Sequence, residues 1–131
     1  MNRDEAVEKI NLYFEAWVEK NFKKFEKLVH ENAIVRECNG GVIEGRDELH
    51  RWFKEWNQGS NRVIYWKINF IGYDNELISA FVEWEFKCIY AGIEYEWCGS
   101  SIVNFKDSLI IEINEYEMKY EKFYPYRCME S

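Results

Sequence analysis

Glu115 and Glu117 have the spacing of a chemical site. If Ile111 and Ile113 face the core, strict strand alternation puts both glutamates on that same face. A carboxylate held there is poorly solvated, so its pKa rises and it becomes a better base or a retained acid. A single bulge would instead turn both to water and bring Tyr116 and Met118 inward. Solvent is the ordinary place for a glutamate. The second chemical feature is aromatic. Six tryptophans, Trp17, Trp52, Trp56, Trp66, Trp84 and Trp97, are more than packing a 131-residue chain requires. Such residues are ordinarily core, yet Trp84, Phe86 and Cys88 share one face of an alternating run. With Trp17, Trp52, Trp56 and Trp97 they are expected to border a flat apolar pocket, the usual form of a small-molecule site.

Other chemistries find less support. The two histidines, His30 and His50, have no neighbours that complete a ligand pattern, so no metal is expected. His30 is read as ending a helix, where a cation suits the dipole. Cys38, Cys88, Cys98 and Cys128 form no CxxC pair and are read as reduced thiols. The start of the chain does not resemble a signal peptide and no apolar run approaches a membrane span, so a cytoplasmic protein without a membrane partner is expected. There is no Gly-x-Ser-x-Gly elbow and no Gly-rich phosphate loop. Lys20, Lys23, Lys24 and Lys27 are interleaved with glutamates and read as a solvated helix face. With 24 acidic against 17 basic residues, the net charge of −7 makes nucleic acid a poor partner.

These groups need elements to position them, and 131 residues suffice for one domain. Ala6, Ile10, Tyr13, Phe14 and Trp17 recur at helical steps, with Asn2 and Glu5 at capping-box spacing. Asn21 stops this helix and caps a second, striped by Phe22, Phe25, Leu28 and Val29. A third follows Gly45 through Leu49, Trp52, Phe53 and Trp56, with Gly59 as its C-cap. Ala33 to Cys38 reads as a short strand, turned by Asn39-Gly40-Gly41 into Val42 to Glu44. From Arg62 the period becomes two. Turns at Gly72 to Asn75, Ala91-Gly92 and Lys106 to Ser108 separate runs ending in Val82 to Tyr90, Tyr95 to Phe105 and Leu109 to Tyr120. The last three long strands make an antiparallel meander. Pro125, the only proline, lies in the tail 121–131, where Tyr124 and Tyr126 make capping of the interior attractive.

The order of these elements resembles the nuclear transport factor 2-like superfamily, including SnoaL-like cyclases and ketosteroid isomerase. The residues that carry it are Trp17-(x)4-Phe22-(x)2-Phe25-(x)2-Leu28, Asn32-Ala33-Ile34-Val35 and Gly45-Arg46-Asp47-Glu48-Leu49-(x)2-Trp52-Phe53. Trp84-Glu85-Phe86-(x)3-Tyr90-Ala91-Gly92, Phe105 and the closing Tyr124-Pro125-Tyr126 continue it. The resemblance implies an α+β cone: three N-terminal helices in the concave face of a strongly curved, mainly antiparallel sheet. It also implies roles. The oxyanion-stabilising tyrosine of ketosteroid isomerase falls on Tyr13 and the general-base carboxylate on Glu37. The second oxyanion donor, an aspartate there, falls on Ser101, a weaker donor that makes steroid isomerisation itself doubtful. If Glu115 turns inward near Glu37, like-charge repulsion leaves one of the two protonated at neutral pH, and the pair can act as acid and base.

The expectation is therefore a small-molecule-binding cone that takes an apolar ligand. Its reaction would be cofactor-independent proton transfer next to a carbonyl, as in isomerisation, dehydration or cyclisation. Glu37 would be the base, Tyr13 and Ser101 the oxygen donors, and Glu115 a second proton carrier. The alternative is a non-catalytic ligand-binding or interaction domain of the same fold. Relatives commonly pair through the outer sheet face, and Ile89, Ile102 and Ile110 would supply that homodimer patch if they face outward.

Overall fold

The computed structural model describes residues 1–127, so Cys128 lies outside the described residues. Helix α1 (Arg3–Glu19) starts where the Asn2 side chain accepts from the Glu5 amide, and it buries Ala6, Ile10, Tyr13, Phe14 and Trp17. Lys20, in the left-handed region at φ 55°, ends it. Asn21 then accepts from the Lys24 amide and opens α2 (Phe22–Leu28), which buries Phe25 and Leu28. Both asparagines act as N-caps, satisfying amides that the first helical turn leaves free.

Strand β1 (Val29–Arg36) begins four residues earlier than the sequence pattern suggests, so Val29 and His30 are strand residues rather than the end of a helix. β2 (Val42–Glu44) pairs with it antiparallel. Helix α3 (Gly45–Trp56) buries Leu49 and Phe53 and ends at Asn57; Gly59, expected as its C-cap, lies in the turn beyond. The three helices meet through Trp17, Phe25 and Phe53, whose rings lie 4.4–5.8 Å apart.

Four long strands follow, the period-two run from Arg62 and then the three of the meander: β3 (Arg62–Asp74), β4 (Ser79–Tyr90), β5 (Ile93–Lys106) and β6 (Leu109–Met118). The β3–β4 turn falls at residues 75–78 rather than at Gly72, which pairs with Phe81 inside the ladder. Ala91-Gly92 and Asp107-Ser108 are two-residue connections with φ between 51° and 79°. Positive φ at both central residues is the geometry that matches strand twist in a tight hairpin.

The six strands form one open mixed sheet in the order β2-β1-β6-β5-β4-β3, with β1 and β6 parallel. The fold is the α+β cone that the sequence implies. Its inner face is a set of cross-strand rows: Trp66–Phe86–Trp97, Val82–Ser101–Glu115 and Ala80–Val103–Ile113. Trp84 sits opposite Gly99, where a Cβ would approach its ring to 3.1 Å and the Tyr116 carbonyl oxygen to 2.1 Å. Only glycine leaves room for that indole.

The inner row also explains β6. Asn104 pairs with Glu112 and Phe105 with Ile110, so Ile111 is an extra residue, a bulge that shifts the parity of the strand. Ile110 and Ile113 are buried at 1% and 2% exposure, whereas Ile111 is only half-buried. Ile110 therefore cannot serve an outer-face patch. The tail tyrosines Tyr124 and Tyr126 are exposed.

Candidate functional site

β1 and β6 run parallel with Val35 opposite Ile113. Beyond the last paired residues, Arg36 and Asn114, the two chains carry Glu37 and Glu115 to the walls of the same cavities. The chain turns immediately after Glu37: its amide donates to the Gly41 carbonyl at 2.8 Å, and the Gly40 amide donates back at 3.0 Å. Gly41 leaves this carboxylate its place, because a Cβ there would stand 2.6 Å from Glu37 Oε1 and push it aside. Strand end, turn and glycine together aim this carboxylate inward.

Three adjoining cavities occupy the cone. The mouth, about 580 Å³, is lined by Glu37, Cys38, Asn39, Trp52, Trp56, Cys88, Tyr90, Tyr95, Trp97, Glu115 and Glu117. A throat of about 50 Å³ is bordered by all six tryptophans with Phe86, Glu37 and Glu115. Beyond it lies an inner void of about 10 Å³, where Tyr13, Trp66, Ser101 and Glu115 meet aliphatic side chains. Glu115 borders all three. Glu117 stays at the mouth and is exposed. The solvated outcome thus holds for Glu117 but not for Glu115.

The predicted residues are not all brought together. Tyr13 and Glu37 face different cavities, joined only through Glu115 and the indole of Trp66. Ser101 Oγ accepts from Trp84 Nε1 at 2.9 Å, so it is tied to the wall. Four donors on these walls have no partner: the Tyr13 hydroxyl and the indole N–H groups of Trp17, Trp66 and Trp97. The sequence marks those indoles as apolar surface but not the direction of their polar edges. Cys38, Asn39, Tyr90 and Tyr95 at the mouth were also missed; the turn residues beside Glu37 were the available signal.

Electrostatics distinguish the acids. Burial first, and the charge of Glu37 second, push Glu115 up to about 8. Burial also raises Glu37. At neutral pH the pair therefore holds one proton, on Glu115, and Glu37 is the ionised partner. Tyr13 is raised by burial and then by the Glu115 charge, so it stays a neutral donor. Burial pushes the Cys88 thiol up to about 11, leaving it protonated. Among the described residues no three His, Cys, Asp or Glu side chains come together as a metal site. His30 and His50 line a separate surface hollow, 3.8 Å from Asp107 and 3.9 Å from Glu26.

A cone of mixed sheet with acids and aromatics around its hollow defines the class, and the family model agrees. The chain belongs to the SnoaL-like domain family, whose model matches residues 10–113. No curated protein matches it. Solved structures share the fold. An LEH-like epoxide hydrolase of M. tuberculosis is 16% identical with a TM-score of 0.78, covering 88% of this chain and 84% of that one. A protein with a ketosteroid isomerase-like fold from Catenulispora acidiphila, in complex with trimethylamine, is 13% identical with a TM-score of 0.71 over 83% and 84%. A protein of unknown function with a cystatin-like fold from Methylobium petroleophilum is 21% identical with a TM-score of 0.72 over 97% and 84%. Among the described residues no helix is long and apolar enough to cross a membrane.

Proposed function

We propose that this chain binds a small organic molecule in its cone and moves a proton on it next to a carbonyl, without a cofactor. The observation that carries the reading is the pairing of Glu37 with Glu115 at the wall of one aromatic throat. Glu37, ionised, removes a proton from carbon, and the electron pair moves onto the carbonyl oxygen. Glu115, protonated, returns a proton at the same or a neighbouring centre. Unpartnered donors steady the oxygen: the throat indoles, with Tyr13 behind them. Ser101 contributes through its hold on Trp84. The protein would work in the cytoplasm, where its cysteines stay reduced. A second copy would pair on the outer sheet face, where Phe81 lies opposite Ile102. A monomer in sedimentation at micromolar concentration would remove that part of the proposal.

The test is loss of deuterium from the α-carbon of a panel of small ketones, followed by NMR. The wild-type chain should accelerate exchange on at least one of them, and Glu37→Gln should slow it by about 10²–10⁴-fold. Equal exchange in both proteins, or none in either, contradicts catalysis. The non-catalytic reading is favoured by one observation: Tyr13 and Glu37 do not share a cavity. It predicts that Glu37→Gln leaves ligand affinity broadly intact with no turnover to lose.

A further inference from the structure

The mouth and the throat share five lining residues: Trp52, Trp56, Trp97, Glu37 and Glu115. This neck combines three indoles with two carboxylates. Among the described residues that line the mouth, throat and inner void, none is lysine, arginine or histidine. The chain is not short of bases, for it carries 17 lysines and arginines. Two cationic side chains of the sheet are engaged elsewhere: Lys87 pairs with Glu94 at 2.9 Å, and Arg36 pairs with Glu112.

Aromatic faces carry negative electrostatic potential, and a cation set against several of them out of bulk water is held strongly. The charge of Glu37 at the same neck, with Glu115 beside it, is neutralised by no lysine, arginine or histidine of the lining. Such a cavity is hostile to a carboxylate or phosphate ligand and suits a compact organic cation. We propose that the ligand carries an alkylammonium group, seated at the neck among Trp52, Trp56 and Trp97 and against Glu37 and Glu115. The indole N–H groups of Trp17, Trp66 and Trp97, which lack acceptors, would meet an oxygen of the same molecule. The substrate class is then a small carbonyl compound bearing a tertiary or quaternary amine. This rests on the reading of the cone as a ligand site and narrows what that site accepts.

The test compares choline with 3,3-dimethylbutan-1-ol, its uncharged isostere, by calorimetry and by tryptophan fluorescence. Choline should bind about tenfold or more tighter than the isostere, and its affinity should rise with pH from 6 to 9 as the shared proton is lost. Glu37→Gln and Glu115→Gln should each weaken choline and leave the isostere unchanged. Trp56→Leu should weaken choline even if a carboxylate variant fails to fold. Glu112→Gln, on the outer face, should change nothing. Equal binding of the two probes overturns the cation inference while the ligand cavity survives. Binding of neither at millimolar concentration overturns the inference and removes support for the cavity as well. Ketone exchange lost in Glu37→Gln despite equal probe binding would leave the proton-transfer reading standing alone.

Discussion

Glu112 and Glu115 lie three residues apart on β6 and face opposite sides of the sheet. Glu112, on the outer face, accepts from Arg36 and from Asn104, the latter at 2.6 Å, and these bonds hold its carboxyl below the usual range. Glu115, on the inner face, is buried among aromatic neighbours with the charge of Glu37 nearby, so it is pushed up to about 8. One residue type on one strand thus gives a screened surface acid and a retained interior proton. What separates them is the face assigned by the pleat, and the Ile111 bulge sets that face for the rest of the strand. Protonation here follows from register.

The contrast can be broken most strongly through pH and stability. Glu115 binds its proton more tightly in the folded chain than in the unfolded chain, where its ordinary value is 4.5. Stability is therefore full below about 4.5 and falls as the pH rises, reaching its floor above about 8. The loss should be on the order of 5 kcal/mol in urea unfolding, and Glu115→Gln should flatten most of it. A wild-type curve that is flat over the same window contradicts the burial of Glu115.

A smaller effect sharpens the role of the neighbour. Glu37→Gln removes the second cause of the Glu115 shift and leaves the larger one, burial. The alkaline loss should shrink without vanishing. Gly41→Ala, whose Cβ would displace Glu37 Oε1, should act in the same direction while keeping both acids. Unchanged alkaline behaviour in both variants would separate the two carboxylates.

The least effect belongs to the outer face. Glu112 has a lowered folded pKa, so its contribution is present above the unfolded value and is lost as the pH falls through the folded one. Its side chain is 31% exposed and screened, and Glu112→Gln should cost at most about 0.5 kcal/mol at neutral pH. An acid-side loss larger than the alkaline one would invert the comparison.

The fold was legible because its signals are local and repeated. Asn2 and Asn21 mark helix starts, Phe25 and Phe53 mark helix faces, and the alternation of Val82 to Cys88 marks an inner strand row. Glycine positions were less informative: Gly59 and Gly72 suggest punctuation, yet one lies beyond its helix and the other inside a ladder. The site was legible in residue type and only partly in arrangement. Glu37 and Glu115 could each be singled out, but their juxtaposition depends on the parallel pairing of β1 with β6, which no local pattern encodes. The orientation of Glu115 depends on one bulged residue, and no composition or period announces it. The separation of Tyr13 from Glu37 is a matter of packed rings between α1 and β3, where Phe14 and Trp66 stack at 4.0 Å.

Carbon-13 NMR titration of the glutamate side-chain carboxyls tests the central claim most directly. One inner carboxyl, absent in Glu115→Gln, should titrate near 8 and move down in Glu37→Gln, while the Glu112 carboxyl titrates below the ordinary 4.5. All carboxyls titrating below about 5 in the wild-type chain would show that no proton is retained in the cone, and the proton-transfer account would be wrong.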